Sequence, residues 1–393
     1  MSNTNLNKAK REKNDEFYTQ LRDVEKEMQA YLEYDPDVFR DKTILLPCDD
    51  PNWSNFTKYF ALNFERLGLK KLISTSYAAD GGSGKVFVLD GEDALQWEYL
   101  TGDGDFRSAE VTVLRDEADI VITNPPFSLF REFMAWLSDG DVLFSVIGNK
   151  NAITCKGIFP SIRDNTLWVG NRSMSDDFLF GLPKSSQDEM LEGEPGSRYR
   201  VVDGEILGSA PAMWFTNIQH GRHHEPLKLM TQAENEIHNK RIINNANSYK
   251  KYDNYDAIEV PFTSGIPSDY TGVQGVPISF LDKYCPEQFE ILGLTTGRSE
   301  FDEVSYPTKR YVNAVQHNTN GTTSNGSKVN TRATIVDENP TSTYYTADNQ
   351  NKPLTIVYAR ILIRRINSTE QDVQLARVHT LKTATPVQQQ MAA

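Results

Sequence analysis

Residues Asp119 to Phe130 read DIVITNPPFSLF. Asn124, Pro125 and Phe127 put an amide side chain, a carbonyl and an aromatic ring close together. Such a set suits a base whose exocyclic amine needs two hydrogen-bond acceptors and whose flat face needs a stacking partner. The run Ile120-Val121-Ile122-Thr123 reads as a buried strand. Pro125 and Pro126 cannot donate to a β ladder, so that strand must stop there and leave the set at a sheet edge. The alternative is an ordinary strand-to-helix turn with Phe127 packed in a core.

Two further segments carry chemistry. Asp49-Asp50-Pro51 follows a predicted strand and precedes a predicted helix, where a carboxylate can accept hydrogen bonds from a ribose or attract an amine. A helix-capping Asp pair explains it equally well. No G-x-G-x-x-G phosphate loop is present, so a cofactor without phosphate is expected. Gly102-Asp103-Gly104-Asp105-Phe106 offers a carboxylate and a ring that together suit an adenine amine and face, or simply an acidic turn in solvent. Asp15-Glu16-Phe17-Tyr18-Thr19-Gln20 reads as a helix start. His220, His223 and His224 lie close in sequence, but no carboxylate or cysteine completes a ligand set, and no metal is expected. The five tryptophans are scattered and read as core residues.

The elements that must position these residues alternate regularly. A helix is expected from Phe17 to Leu32, a strand at Thr43–Leu46, and a helix capped by Ser54 and closed by Gly68. A strand over Leu69–Tyr77 follows, then a hairpin from Lys85 to Tyr99, a helix near Ser108–Glu117, the Ile120 strand, a helix over Leu129–Leu137 and a strand over Val142–Ile147. This succession predicts an α/β class with a doubly wound parallel sheet, which binds ligands beyond the carboxyl ends of its strands. Asp49/Asp50, Ser76/Tyr77 and NPPF all fall at such ends. Past Leu207 the pattern turns irregular, with strands expected at Pro211–Ile218, Val260–Phe262 and Leu354–Ile366. The Asn-, Thr- and Ser-rich 313–352 stretch reads as a polar excursion, mobile in isolation. The organisation expected is a mobile basic arm at 1–14, a catalytic domain at 15–207, a recognition region at 208–380 and a disordered tail at 381–393.

The composition is that of a soluble globular chain, with 38% hydrophobic and 24% charged residues and no membrane span or signal peptide. Three cysteines without CxxC spacing point to reduced thiols in the cytoplasm. The net charge of −13 opposes polyanion binding globally but not locally, since phosphate contacts are local.

DEFYTQ, CDDPNWSNFTKYFALNF, GDGDFRS and ADIVITNPPFSLFREF, in that order, resemble the EcoRI-type DNA adenine-N6 methyltransferases. Cofactor motifs ahead of NPPF resemble the γ arrangement of amino-methyltransferases. MWFTNIQHGRHHEPLKL and GVQGVPISFLDKYCPEQFEILG extend the likeness, which covers roughly residues 10–300. It implies a Rossmann-like S-adenosylmethionine-dependent methyltransferase core followed by an irregular α+β DNA-recognition region. Phe17, Tyr18 and Thr19 match the element lying against the methionine part of S-adenosylmethionine. Asp49, Asp50, Ser54, Asn55 and Phe56 match the cofactor loop, Ser76 joins the cofactor side, and Asp105 and Phe106 would address the cofactor adenine. Asn124, Pro125, Pro126 and Phe127 match the catalytic motif. The usual glycine-rich cofactor loop is missing.

The resemblance implies methylation of a flipped-out adenine in double-stranded DNA by a monomer, with a possible cognate restriction endonuclease sharing the site without a stable complex. Cytosine-N4 methylation is the nearest alternative, though Ser often replaces Asn there. A catalytically silent DNA-binding module is another. Lys240, Arg241, Lys250, Lys251, Lys309 and Arg310 are the basic pairs expected to meet phosphates.

Overall fold

A computed structural model describes residues 18–91, 93–176, 178–182, 199–296 and 307–366. Phe17, the arm at 1–14 and the tail at 381–393 lie outside the described residues. The chain divides into two compact units, Met1–Ile158 with Thr166–Gly221, and Phe159–Asn165 with Arg222–Ala393. The class is α/β.

The strands of the first unit are β1 (Tyr18–Thr19), β2 (Thr43–Leu46), β3 (Lys71–Thr75), β4 (Lys85–Asp90), β5 (Asp93–Tyr99), β6 (Ile120–Thr123), β7 (Leu143–Asn149), β8 (Trp168–Val169), β9 (Phe178–Gly181), β10 (Tyr199–Val202), β11 (Glu205–Ala210) and β12 (Ala212–Thr216). Its helices are α1 (Leu21–Tyr34), α2 (Asn55–Leu62), α3 (Phe64–Leu67), α4 (Ala109–Glu117) and α5 (Phe130–Gly140). Eight strands form one sheet in the order β5-β4-β3-β2-β6-β7-β12-β8. Within it β3, β2, β6 and β7 run parallel. β2 and β6 read TILL and IVIT and are buried along their whole length, as strands covered on both faces must be. Ile44, Leu46, Ile120 and Ile122, two apart on their strands, share a core with Val24 and Met28 of α1 and Phe56 and Phe60 of α2. Each such side chain contributes about 1.5–3 kcal/mol by leaving water.

The chain leaves β2 for β3 on one side and returns to β6 on the other. The strand order therefore reverses between β2 and β6, and sheets of this kind bind ligands at the carboxyl ends of the strands beside such a reversal. Local chemistry sets the boundaries. The Ser54 hydroxyl accepts from the Phe56 and Thr57 amides at the start of α2, and Gly68 closes α3 at φ +63°.

One expectation changes here. Tyr18 and Thr19 are a strand rather than the start of a helix, paired antiparallel with Gly181 and Phe180. α1 also buries Asp23 and Glu27 beside its apolar stripe: Asp23 pairs with Arg172 at 2.5 Å, and Glu27 accepts from the Tyr31 hydroxyl at 2.9 Å.

The second unit contains α6 (Phe159–Arg163), α7 (Gln232–His238), α8 (Lys240–Ile243) and two sheets. The first comprises β13 (Ile258–Glu259), β14 (Gln274–Pro277), β15 (Phe289–Leu294) and β21 (Arg360–Arg365), in the order β13-β14-β21-β15. The second comprises β16 (Val315–His317), β17 (Thr323–Asn325), β18 (Thr334–Val336), β19 (Tyr344–Ala347) and β20 (Gln350–Ile356), in the order β17-β16-β19-β20-β18. The 313–352 stretch, expected to be irregular, is thus largely an antiparallel sheet. Four large side chains, Tyr311, Val329, Tyr345 and Leu354, form its core. Amides hold its turns: the Asn330 side chain bonds the Tyr311 backbone at 2.7 and 3.0 Å. The strand expected at Val260–Phe262 is Ile258–Glu259 instead. Among the described residues no helix is long and apolar enough to cross a membrane.

Asp253 anchors this unit, accepting from Lys309 Nζ at 2.9 Å and from the Tyr311 hydroxyl at 2.6 Å. Asp253→Ala should cost about 1–3 kcal/mol in urea unfolding, because two donors lose their acceptor. A change below about 0.5 kcal/mol would mark the cluster as surface decoration.

Candidate active site

One carboxylate lies where β2 and β6 part. Asp49 lies just past the end of β2 and is 6% exposed. Its Oδ1 accepts from the Ser54 hydroxyl at 2.7 Å, and its Oδ2 accepts from the Thr123 hydroxyl at 2.6 Å. Its backbone is held as well: Asp49 N donates to Thr75 O at 2.9 Å, and the Ser74 hydroxyl donates to Asp49 O at 2.6 Å. One residue thus ties together the ends of β2, β3 and β6 and the cap of α2. Burial pushes its carboxyl up from 3.8 to about 7, against the pull of the Thr123 and Ser54 donors. Burial likewise raises the neighbouring Cys48 thiol.

Asp50 has a different environment. Its Oδ2 meets Lys85 Nζ at 2.7 Å, and its Oδ1 accepts from the Asn52 amide at 2.9 Å. The turn that follows exposes Trp53, 46% accessible, whose ring stands edge-on to Tyr18 at 4.4 Å. Trp53 is therefore not a core residue, unlike Trp136, Trp168 and Trp214. Asn55 donates its side-chain amide to Thr19 O at 2.8 Å, pinning β1 to the start of α2. Phe56 is buried against Trp214, so its ring serves the core.

Ser76 closes the other side. Its amide donates to Lys85 O at 3.0 Å, and its hydroxyl accepts from the Lys85 amide at 3.2 Å. The 102–106 loop docks here through Ala78 N to Asp103 O at 2.7 Å. Contact is so close that a Cβ on Gly104, at φ +82°, would sit 2.2 Å from Ser76 O. Asp105 is held by Arg107, whose hydrogen bonds draw its carboxyl below the usual range. Phe106 departs from the stacking role expected of it. It is 4% exposed and packs edge-on against Phe133 and Trp136.

The NPPF turn lies where β6 stops. Asn124 follows Thr123 directly, Pro125 is buried, and Pro126 opens the 3₁₀ turn Phe127–Leu129. Phe127 is half-buried, its ring edge-on to Phe180 at 6.3 Å. Phe180 is also the residue paired with Thr19, so β9 joins Tyr18–Thr19 to the NPPF turn.

Residues 5–366 match the family described as adenine-specific methyltransferase EcoRI. The chain is 41% identical over 320 residues to the Type II methyltransferase M.EcoRI of Escherichia coli, covering 77% of this chain and 92% of that protein. It is 35% identical over 288 residues to the Type II methyltransferase M.MpnI of Mycoplasma pneumoniae, covering 73% and 84%. It is 36% identical over 291 residues to M.MgeORF184P of Mycoplasma genitalium, covering 73% and 85%. The chain belongs to the EcoRI adenine-specific methyltransferase family. No solved structure matches it.

For a member of this family the basic pairs of the second unit matter next. Lys240, Arg241, Lys250, Lys251 and Arg310 are exposed. Arg241 lies over the Phe262 ring at 5.6 Å, and Lys251 pairs with Asp256 at 2.7 Å in solvent. Lys309 differs from the role expected of it: its ammonium is engaged by Asp253 and by Gln350 at 2.6 Å, which makes it a structural cation. The three histidines have separate partners: His220 meets Val169 O at 2.9 Å, His223 meets Asn165 at 3.0 Å and His224 meets Glu287 at 2.6 Å.

Lys85, Thr123, Phe180 and Trp53 were not singled out by sequence, although Lys85 follows a glycine-rich turn and Thr123 adjoins NPPF. The shifted Asp49 carboxyl gives a test. The folded state holds this proton more tightly than the unfolded chain, so its stabilising contribution is present below pH 3.8 and is lost as pH rises through about 7. Asp49→Asn should therefore lose less thermal stability than the parent between about pH 4 and pH 7. Parallel melting curves in both proteins would mean the carboxyl is already ionised at low pH.

Proposed function

We propose that this enzyme transfers a methyl group from S-adenosylmethionine to N6 of an adenine swung out of duplex DNA, on a doubly wound Rossmann-like core. The observation that carries the reading is Asn124-Pro125 ending β6 across the crevice from Asp49, where such a sheet holds its ligand. The donor set fits this cofactor. Asp49, Asp50 and Asp105 suit a cation and ribose hydroxyls, Tyr18 and Trp53 offer aromatic surface, and no phosphate cradle is present. Tyr18, Thr19, Ser54, Asn55 and Ser76 complete the cofactor side, with Phe17 assigned to it from sequence. Bound there, S-adenosylmethionine supplies a methyl group already activated on a sulfonium.

The protein's task is then to prepare the amine. The adenine N6 lone pair is delocalised into the ring and is a poor nucleophile. The Asn124 amide oxygen and the Pro125 carbonyl accept its two hydrogens and favour the tetrahedral geometry in which the lone pair is free. Phe127 stacks on the extruded base. The exposed pairs Lys240/Arg241 and Lys250/Lys251, with Arg310, meet phosphates. The relatives are named Type II methyltransferases, which supports modification beside a nuclease that shares the site without a stable complex. A cytoplasmic location is in keeping with the free Cys48, Cys155 and Cys285, and a monomer is the state assigned from the family resemblance.

Incubation of duplex DNA with methyl-labelled cofactor, followed by nucleoside analysis, should place label in N6-methyladenine. Label confined to N4-methylcytosine or to protein would overturn the reading. Asn124→Ala should lower the single-turnover rate by about 10²–10³ while cofactor affinity stays within about threefold. Replacing Lys240 and Arg241 together with Ala should weaken DNA binding and reduce the salt slope by about 2. An unchanged slope would move the DNA track elsewhere.

A further inference from the structure

β2 and β6 pair through Ile44↔Ile120 and Leu45↔Val121. Beyond that point the ladder stops and the two strands part. The hydrogen bond from the Thr123 hydroxyl to Asp49 Oδ2, at 2.6 Å, crosses this opening, between side chains that are 0% and 6% exposed. On its other edge β6 remains paired, with Thr123 opposite Val146 of β7. Thr123 is thus fixed from both sides at the last position of the strand.

Its neighbour inherits that constraint. Threonine is β-branched, so a hydroxyl held by a partner leaves χ1 little freedom and ties the last residue of the strand to Asp49, while the ladder to Val146 fixes its backbone. Asn124 precedes a proline, which restricts it to extended backbone, and Pro125 fixes its own φ. A peptide oriented at Thr123 passes its direction to the Asn124 side chain and the Pro125 carbonyl with few torsions between. The other Asp49 oxygen holds Ser54, which caps α2 at Phe56 and Thr57. One carboxylate therefore touches both the cofactor loop and the catalytic turn.

We propose that Thr123 is a positioning residue for methyl transfer, acting through Asp49 to hold Asn124 and Pro125 at the angle the target amine requires. This rests on Asn124 as the residue that receives the amine. The hydroxyl's hydrogen is engaged by Asp49, so its loss should appear in the chemical step rather than in binding.

The test uses the full-length enzyme with Thr123→Val, which keeps shape and strand propensity but removes the hydroxyl, and Thr123→Ser, which restores it. Single-turnover methylation of duplex DNA at saturating cofactor should fall about tenfold or more in Thr123→Val, with cofactor Kd within about threefold. Thr123→Ser should recover to within about threefold of the parent. If Thr123→Val does not fold, Thr123→Ala is read by the same criteria. A rate within about twofold in the variant lacking the hydroxyl, or equal loss in Thr123→Ser, overturns the proposal. So does a rate loss explained wholly by weaker cofactor binding. Asn124→Ala, measured alongside, separates the layers. Turnover lost there but kept in Thr123→Val removes Thr123 alone, whereas turnover kept in Asn124→Ala removes the amine-holding role and this inference with it.

Discussion

A carboxylate buried between strand ends is the constraint on which the rest of this site depends. Taking an ionised carboxyl out of water costs several kcal/mol unless donors replace the lost solvent. Asp49 receives the Ser54 and Thr123 hydroxyls, one on each oxygen, and its peptide group is bonded to the end of β3. Two neutral donors offset burial only in part, so the group is poised at about 7 instead of being fully ionised. A bound cation would shift that balance toward the charged form. Charge state, strand spacing and helix capping thus meet in one side chain.

The crevice itself follows from where ladders end. β2 stops before Asp49, and β6 stops at Thr123 because two prolines follow. The strand order reverses between these two neighbours, which is where sheets of this kind bind ligands. Groups distant in sequence are tied down in this unit: Thr19 is held by Asn55, Phe127 lies against Phe180, and the 102–106 loop is locked onto Ser76 by a glycine contact too tight for any side chain. Acidic character in the crevice suits a cationic methyl donor. Under the proposed function, the exposed cations of the second unit would take the polyanion despite the net charge of −13.

Much of the first unit was legible in sequence because its signals are local. The apolar runs TILL and IVIT, the Ser54 cap, the Gly68 stop and the Lys85–Tyr99 hairpin each declare themselves within a few residues. What escaped depends on distant partners. A two-residue strand at Tyr18–Thr19 has no periodicity, and only its pairing with Phe180 and Gly181 defines it. Phe106 looked exposed beside two aspartates, yet Phe133 and Trp136 take its ring. Lys309 looked like a phosphate contact until Asp253, far back in the chain, supplied an anion. The 315–356 sheet escaped because amide-to-backbone bonds replace apolar bulk in its turns, and such bonds leave no hydrophobic pattern.

The most direct measurement is a carbon-detected NMR titration of the Asp49 carboxyl in the free enzyme, assigned by its disappearance in Asp49→Asn. A midpoint at about 7, moving downward when S-adenosylmethionine is added, is the expected result. A midpoint near the ordinary 3.8, unmoved by the cofactor, would contradict the view that this buried carboxylate joins the cofactor loop to the catalytic strand.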